Sequence, residues 1–80
     1  MSTTRTTLSQ WFDRGVSQGA KYMVVVCDTY DWEDYPVFCE TRTEAQKRVD
    51  NPGSMQKVME VYDLTQSKEK QMALPRAFML

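Results

Sequence analysis

Residues 21–41 read KYMVVVCDTYDWEDYPVFCET. The first eight are nearly continuous in apolar character and rich in β-branched side chains, as in a strand covered on both faces. Pro36 then opens a second apolar run, VFCET, and proline is acceptable at the first residue of a strand. The two runs predict an antiparallel β-hairpin with its loop over residues 29–35. Hairpin loops are usually about 2–5 residues long, so the extra length argues mildly for a functional loop.

Upstream, Thr7 and Gln10 have the spacing of a capping box and predict a helix start there. Leu8, Trp11, Phe12, Gly15, Val16 and Gly19 follow at helical spacing as one stripe. Gly19 reads as the helix cap. Gly15 is open to two readings, close backbone approach or room for a bulky neighbour. Residues 1–6 read as a flexible tail.

Downstream, a second helix starts at Thr41 or Thr43, each three residues before a Glu or Gln. It places Ala45 and Val49 inward and Arg42, Lys47 and Arg48 outward. Asn51-Pro52-Gly53 ends it. MQKVMEVYDL, Met55 to Leu64, reads as a half-exposed edge strand. Thr65 or Ser67 caps a last short helix, which Pro75 ends. The expected fold is one small α+β domain over residues 7–80, ordered helix-strand-strand-helix-strand-helix. Its three-stranded mixed sheet has the order 2-1-3, with helices packed on it and the third strand running parallel to the second.

Eighty residues make one domain, and a domain this small buries too little surface to be robust without a supplement. Two cysteines give no disulfide framework, and the absence of His removes the usual zinc sites. Oligomerisation is the supplement left. The apolar C-terminus, Ala77-Phe78-Met79-Leu80, must dock somewhere, and Met55, Met59, Met72 and Met79 offer adaptable surface for it. A homodimer is therefore expected, with the tail on its own sheet or on a second subunit. A net charge of −1 argues against general nucleic-acid or membrane-surface binding. No apolar run approaches the roughly 20 residues of a membrane span. The N-terminus lacks the apolar core of a signal peptide, so a cytoplasmic protein with reduced thiols is expected.

The candidate site is the stretch that packs Asp28, Asp31, Glu33 and Asp34 together with Tyr30, Trp32 and Tyr35. Asp28, Asp31 and Asp34 recur every third residue, as metal ligands on a coiled loop would. Their spacing differs from the alternate-residue ligands and turn glycine of a calcium loop. Recognition suits the composition better, because Tyr and Trp give large rigid contact area at low entropic cost. The plain alternative is a solvated turn whose aromatics fold back on the core. The expected contact residues are Asp28, Thr29, Tyr30, Asp31, Trp32, Asp34 and Tyr35, with Arg42, Arg48 and Arg76 as anion contacts. Cys27 and Cys39 fall on the two hairpin strands, close enough to meet. With no His to act as base they read as core residues. No catalytic residue, metal or cofactor is assigned.

The run WFDRGVSQGAKYMVVVCDTYDWEDYPVF, Trp11 to Phe38, resembles a family of short uncharacterised proteins of bacteria and their phages. These carry a WF-x-x-G-x-x-QGA segment, then VVCDT, an acidic stretch and DYPV. MQKVMEVYDL and RAF look similar too. The resemblance implies a compact natural domain and no particular chemistry. Small phage proteins without catalytic groups often block or sequester a host factor. The expected function is accordingly a non-catalytic binding protein with an anti-defence role. It would sequester a small anionic, nucleotide-like ligand or mask a host protein. The rival readings are a divalent-metal enzyme using Asp28, Asp31 and Asp34, and a subunit of a larger assembly.

Overall fold

The computed structural model describes residues 4–74 and 77–80. The elements are α1 (Arg5–Ser17), β1 (Tyr22–Asp28), β2 (Glu33–Cys39), α2 (Arg42–Asp50), β3 (Gln56–Asp63) and α3 (Lys68–Met72). They form an α+β fold in the expected order, and the sheet order is β2-β1-β3. Both ladders are antiparallel, not mixed. Since β2 and β3 each oppose β1, they run in the same direction on either side of it.

Five successive residues of β1, Met23 to Cys27, are buried, and the reason is that both faces of the sheet are covered. Met23 and Val25 join Leu8, Phe12, Tyr62, Leu64 and Ala77 on the α1 face. Val24 and Val26 join Cys39, Ala45 and Val61 on the α2 face. Each buried valine stabilises the fold by about 1.5–3 kcal/mol relative to exposure. One β-bulge interrupts the β1–β3 ladder between Val25 and Val26. It resets the alternation of β3. Val58 therefore shares a face with Val61, and Met59 packs with Tyr62, whereas unbroken alternation would pair Val58 with Tyr62.

Helix α1 begins earlier than the Thr7 capping box implies. Thr4 is the N-cap, and its hydroxyl accepts the Thr7 N–H at 3.2 Å. Residues 5 and 6 are the first turn of the helix, not tail. At the other end the Gly19 N–H donates to the Val16 carbonyl and the Ala20 N–H to the Gly15 carbonyl. With Gly19 at φ 80°, this is the left-handed Schellman termination that glycine permits. Gly15 is resolved as close approach. A Cβ there would lie 2.6 Å from Leu64 Cδ1 and 2.8 Å from Phe38 Cε1. The missing side chain lets α1 settle directly onto the sheet.

Thr41 caps α2, its hydroxyl accepting the Glu44 N–H at 3.1 Å. The Glu44 carboxylate reaches back to the Glu40 N–H at 3.3 Å. Ser67 caps α3. Pro36 sits in the middle of β2 and does not open it. An edge strand tolerates the missing donor. The C-terminal segment docks in cis. Val61 donates to the Ala77 carbonyl and Met79 donates to the Val61 carbonyl, each at 3.0 Å. The Val61–Phe78 bridge is parallel, Ala77 is fully buried, and Leu80 packs on the α2-face core. The segment therefore docks on its own sheet, with Ala77 buried and Phe78 left 52% exposed.

Candidate functional site

The hairpin loop is four residues, 29–32, not seven. Glu33, Asp34 and Tyr35 are strand residues, opposite Asp28, Cys27 and Val26. The inference of function from loop length therefore falls, and the loop must be judged on its side chains. Hydrogen bonds among the described residues hold it. The Trp32 N–H donates to the Asp28 carbonyl at 2.7 Å. The Tyr30 N–H donates to the Asp28 carboxylate at 2.9 Å, a local Asx bond that shapes the turn. The Thr29 N–H donates to the carbonyl of Met55 at 2.8 Å.

That last bond ties the hairpin loop to the 51–55 segment entering β3. Trp32 and Met55 have φ of 59° and 58°, and they are the non-glycine residues with positive φ among those described. Left-handed backbone costs a residue with a Cβ roughly 1–2 kcal/mol. Both side chains are nevertheless large and exposed. Tyr30 is 79% exposed, Trp32 60% and Met55 54%. These three are half of the large apolar side chains exposed among the described residues, and they gather at one end of the sheet.

Carboxylates surround this apolar rim. From Tyr22 to Thr41 the chain has no Lys or Arg, while Asp28, Asp31, Glu33 and Asp34 lie at or beside the loop. Asp28 pairs with Glu33, and Asp34 pairs with Cys27 one step along the ladder. Successive strand residues point to opposite faces, so Asp28 and Asp34 are directed apart. No group of three or more Cys, Asp or Glu among the described residues is placed to hold a metal ion. Asp28, Asp31 and Asp34 are therefore not brought together.

Arg48 lies at this end and turns inward, where an outward face was expected. Its Nη2 donates to the Tyr35 hydroxyl at 3.2 Å and to Gln56 Oε1 at 3.0 Å. Its Nε is buried without a partner, and no carboxylate among the described residues forms an ion pair with it. The cluster braces β2, α2 and β3 beneath the loop and occupies the Tyr35 hydroxyl. Arg42 is exposed at the start of α2. Six residues of helix separate it from Arg48, about 9 Å of rise, so the two arginines do not share a site. Arg76 lies outside the described residues.

Cys27 and Cys39 are far apart in the register. Cys27 pairs with Asp34 near the loop, and Cys39 pairs with Tyr22 at the other end and on the opposite face. Burial raises the pKa of both thiols, helped at Cys27 by the neighbouring Asp34 and at Cys39 by Glu44. Raised thiols are poor nucleophiles, consistent with the structural reading of both residues.

Asp28, Thr29, Tyr30, Asp31 and Trp32 thus form one surface, with Asp34 and Tyr35 on its β2 flank. Met55 and Gln56 belong to it and were not anticipated. The Asn51-Pro52-Gly53 turn was visible, but nothing in a linear sequence says that the residue after it meets the hairpin loop. Comparison with protein-family models, with curated proteins and with solved structures finds no match.

Proposed function

We propose that this is a non-catalytic binding protein that acts by occupancy, with Tyr30, Trp32 and Met55 at the centre of its contact surface. The observation that carries this reading is their convergence. Two loops, joined by the Thr29–Met55 hydrogen bond, present three large apolar side chains to solvent at one end of the sheet. Buried aromatic anchors of this kind dominate the energetics of protein interfaces. The ligand is a protein, not a small molecule. Small-molecule sites are concave and bury most of their ligand, whereas these rings stand out from the sheet end. Masking a host factor, as a phage or mobile-element accessory would, is the role such a protruding aromatic surface would serve.

A photo-crosslinking amino acid at position 30, in the full chain expressed in its host, tests this. One discrete protein adduct is expected, with none from the same group at Val16, which is also exposed but lies on α1. Equal labelling from both positions would sink the proposal.

A further inference from the structure

Both edges of the sheet are blunted from within, in different ways. Val61 donates to the Ala77 carbonyl and accepts from the Met79 N–H, so its backbone groups face away from β1. Val61 pairs with Val24. Backbone groups of successive strand residues alternate in direction, so those of Val24 face β2 and those of Val25 face β3. Pro36 is the partner of Val25 on β2. Its nitrogen therefore lies on the outer side of the sheet. A proline there leaves the β1–β2 ladder whole and denies a donor to any incoming strand.

On β3 the same alternation turns Val61 and Asp63 outward. The C-terminal segment covers Val61 with main chain. The side-chain amide of Gln71 covers Asp63, accepting its N–H and donating to its carbonyl. An amide side chain carries the same donor and acceptor as a peptide unit, so Gln71 continues the cover one strand position further. We infer that the C-terminal segment and Gln71 act as one guard, which keeps the β3 edge from pairing with a second copy of this chain.

The occupant follows from the groups that the guard holds. Val61 and Asp63 together carry two N–H and two carbonyl groups on this edge. A second copy running antiparallel about Tyr62 sets Val61 against Asp63 and Asp63 against Val61. Four hydrogen bonds then form with no change in either strand. A flexible peptide would first have to be ordered, whereas a second copy brings these groups already fixed in a strand.

The test uses the full chain with both halves of the guard removed. Ala77→Asp sets a carboxylate at a fully buried position and drives the segment off the edge, and Gln71→Leu uncovers Asp63. Sedimentation velocity of this double variant is expected to show twice the mass of the unaltered chain. Adding Asp63→Pro removes an outward N–H, spares the ladder with β1 and should restore the original mass. An unchanged mass in the double variant overturns the inference. So does a doubled mass that survives Asp63→Pro, which marks contact through exposed core instead. Where circular dichroism shows either variant unfolded, Met79→Pro alone decides. It deletes the hydrogen bond to the Val61 carbonyl and keeps Ala77 in place. Self-association about fivefold tighter than that of the unaltered chain is expected for one bond released, and equal self-association overturns the inference.

Discussion

The side-chain amide of Gln71 grips both backbone groups of Asp63. Its Oε1 accepts the Asp63 N–H and its Nε2 donates to the Asp63 carbonyl, each at 2.7 Å. A third bond runs from Nε2 to the Ser67 carbonyl at 3.1 Å. Gln71 is 1% exposed, so water cannot replace these partners. Gln71→Leu keeps the bulk and orphans the backbone groups, each at about 1–3 kcal/mol. A stability loss of about 2–4 kcal/mol in urea unfolding is expected. Gln71→Glu should be destabilised too, because a carboxylate cannot donate to the two carbonyls.

Gly15→Ala sets helix propensity against packing. Propensity alone favours alanine by about 1 kcal/mol. The new Cβ would fall 2.6 Å from Leu64 Cδ1 and within 3 Å of the Phe38 ring. Relieving that overlap lifts α1 from the sheet, at about 1–3 kcal/mol. Packing wins, and a net loss of stability is expected from denaturant unfolding. A gain would show that α1 does not seat as described.

Met55→Gly should stabilise. The φ of 58° penalises a residue with a Cβ, by roughly 1–2 kcal/mol, and the side chain is mostly in solvent. After the extra backbone entropy of glycine, about 0.5–1 kcal/mol of gain is expected in thermal unfolding. If Met55 belongs to the contact surface, the same variant should bind its partner less well. Greater stability with weaker binding would mark the strain as serving function.

Alkaline pH should unfold the protein. Burial raises the pKa of Tyr62 above its ordinary value of 10.0, and its hydrogen bond to the Glu60 carboxylate adds to this. The two buried thiols are raised as well. A group with a raised folded pKa stabilises fully below its unfolded pKa and loses that contribution as pH rises through the folded one. The unfolded chain releases these protons first, so stability should hold to about pH 8, then fall by up to about 1.4 kcal/mol per pH unit per ionising group. Melting temperatures across pH 7–11 check this. Tyr62→Phe should flatten the drop above about pH 10.

What the sequence revealed followed the strength of its patterns. The unbroken apolar run of β1 can only be buried on both faces, and that placed it at the centre of the sheet. Thr41 with Glu44 was a true cap because both partners are local. The hairpin loop was overestimated because Glu33, Asp34 and Tyr35 are polar or amphipathic. On an edge strand such residues satisfy their backbone on one side and solvate their side chains on the other. Thr4 was passed over because its cap is closed by another threonine, not by Glu or Gln. The inward turn of Arg48, the grip of Gln71 and the docking of Met79 on Val61 depend on partners distant in the chain. The site was half legible for the same reason. Its hairpin half is one continuous run, and its Met55 half arrives through the pairing of Gln56 with Asp28 and the Thr29–Met55 hydrogen bond.

The alternation of β1 divides the molecule more sharply than its sequence does. Met23 packs with Phe12 and Tyr62, while its covalent neighbour Val24 packs with Ala45 and Val61. Side chains on opposite faces share no partners, so truncating both should cost the sum of the two single truncations, within about 0.3–0.5 kcal/mol. Met23 and Tyr62, far apart in the chain but paired across the ladder, should instead show a coupling energy well above that. Two residues joined by a peptide bond would then be free to change independently, and two that are distant in sequence would have to change in concert.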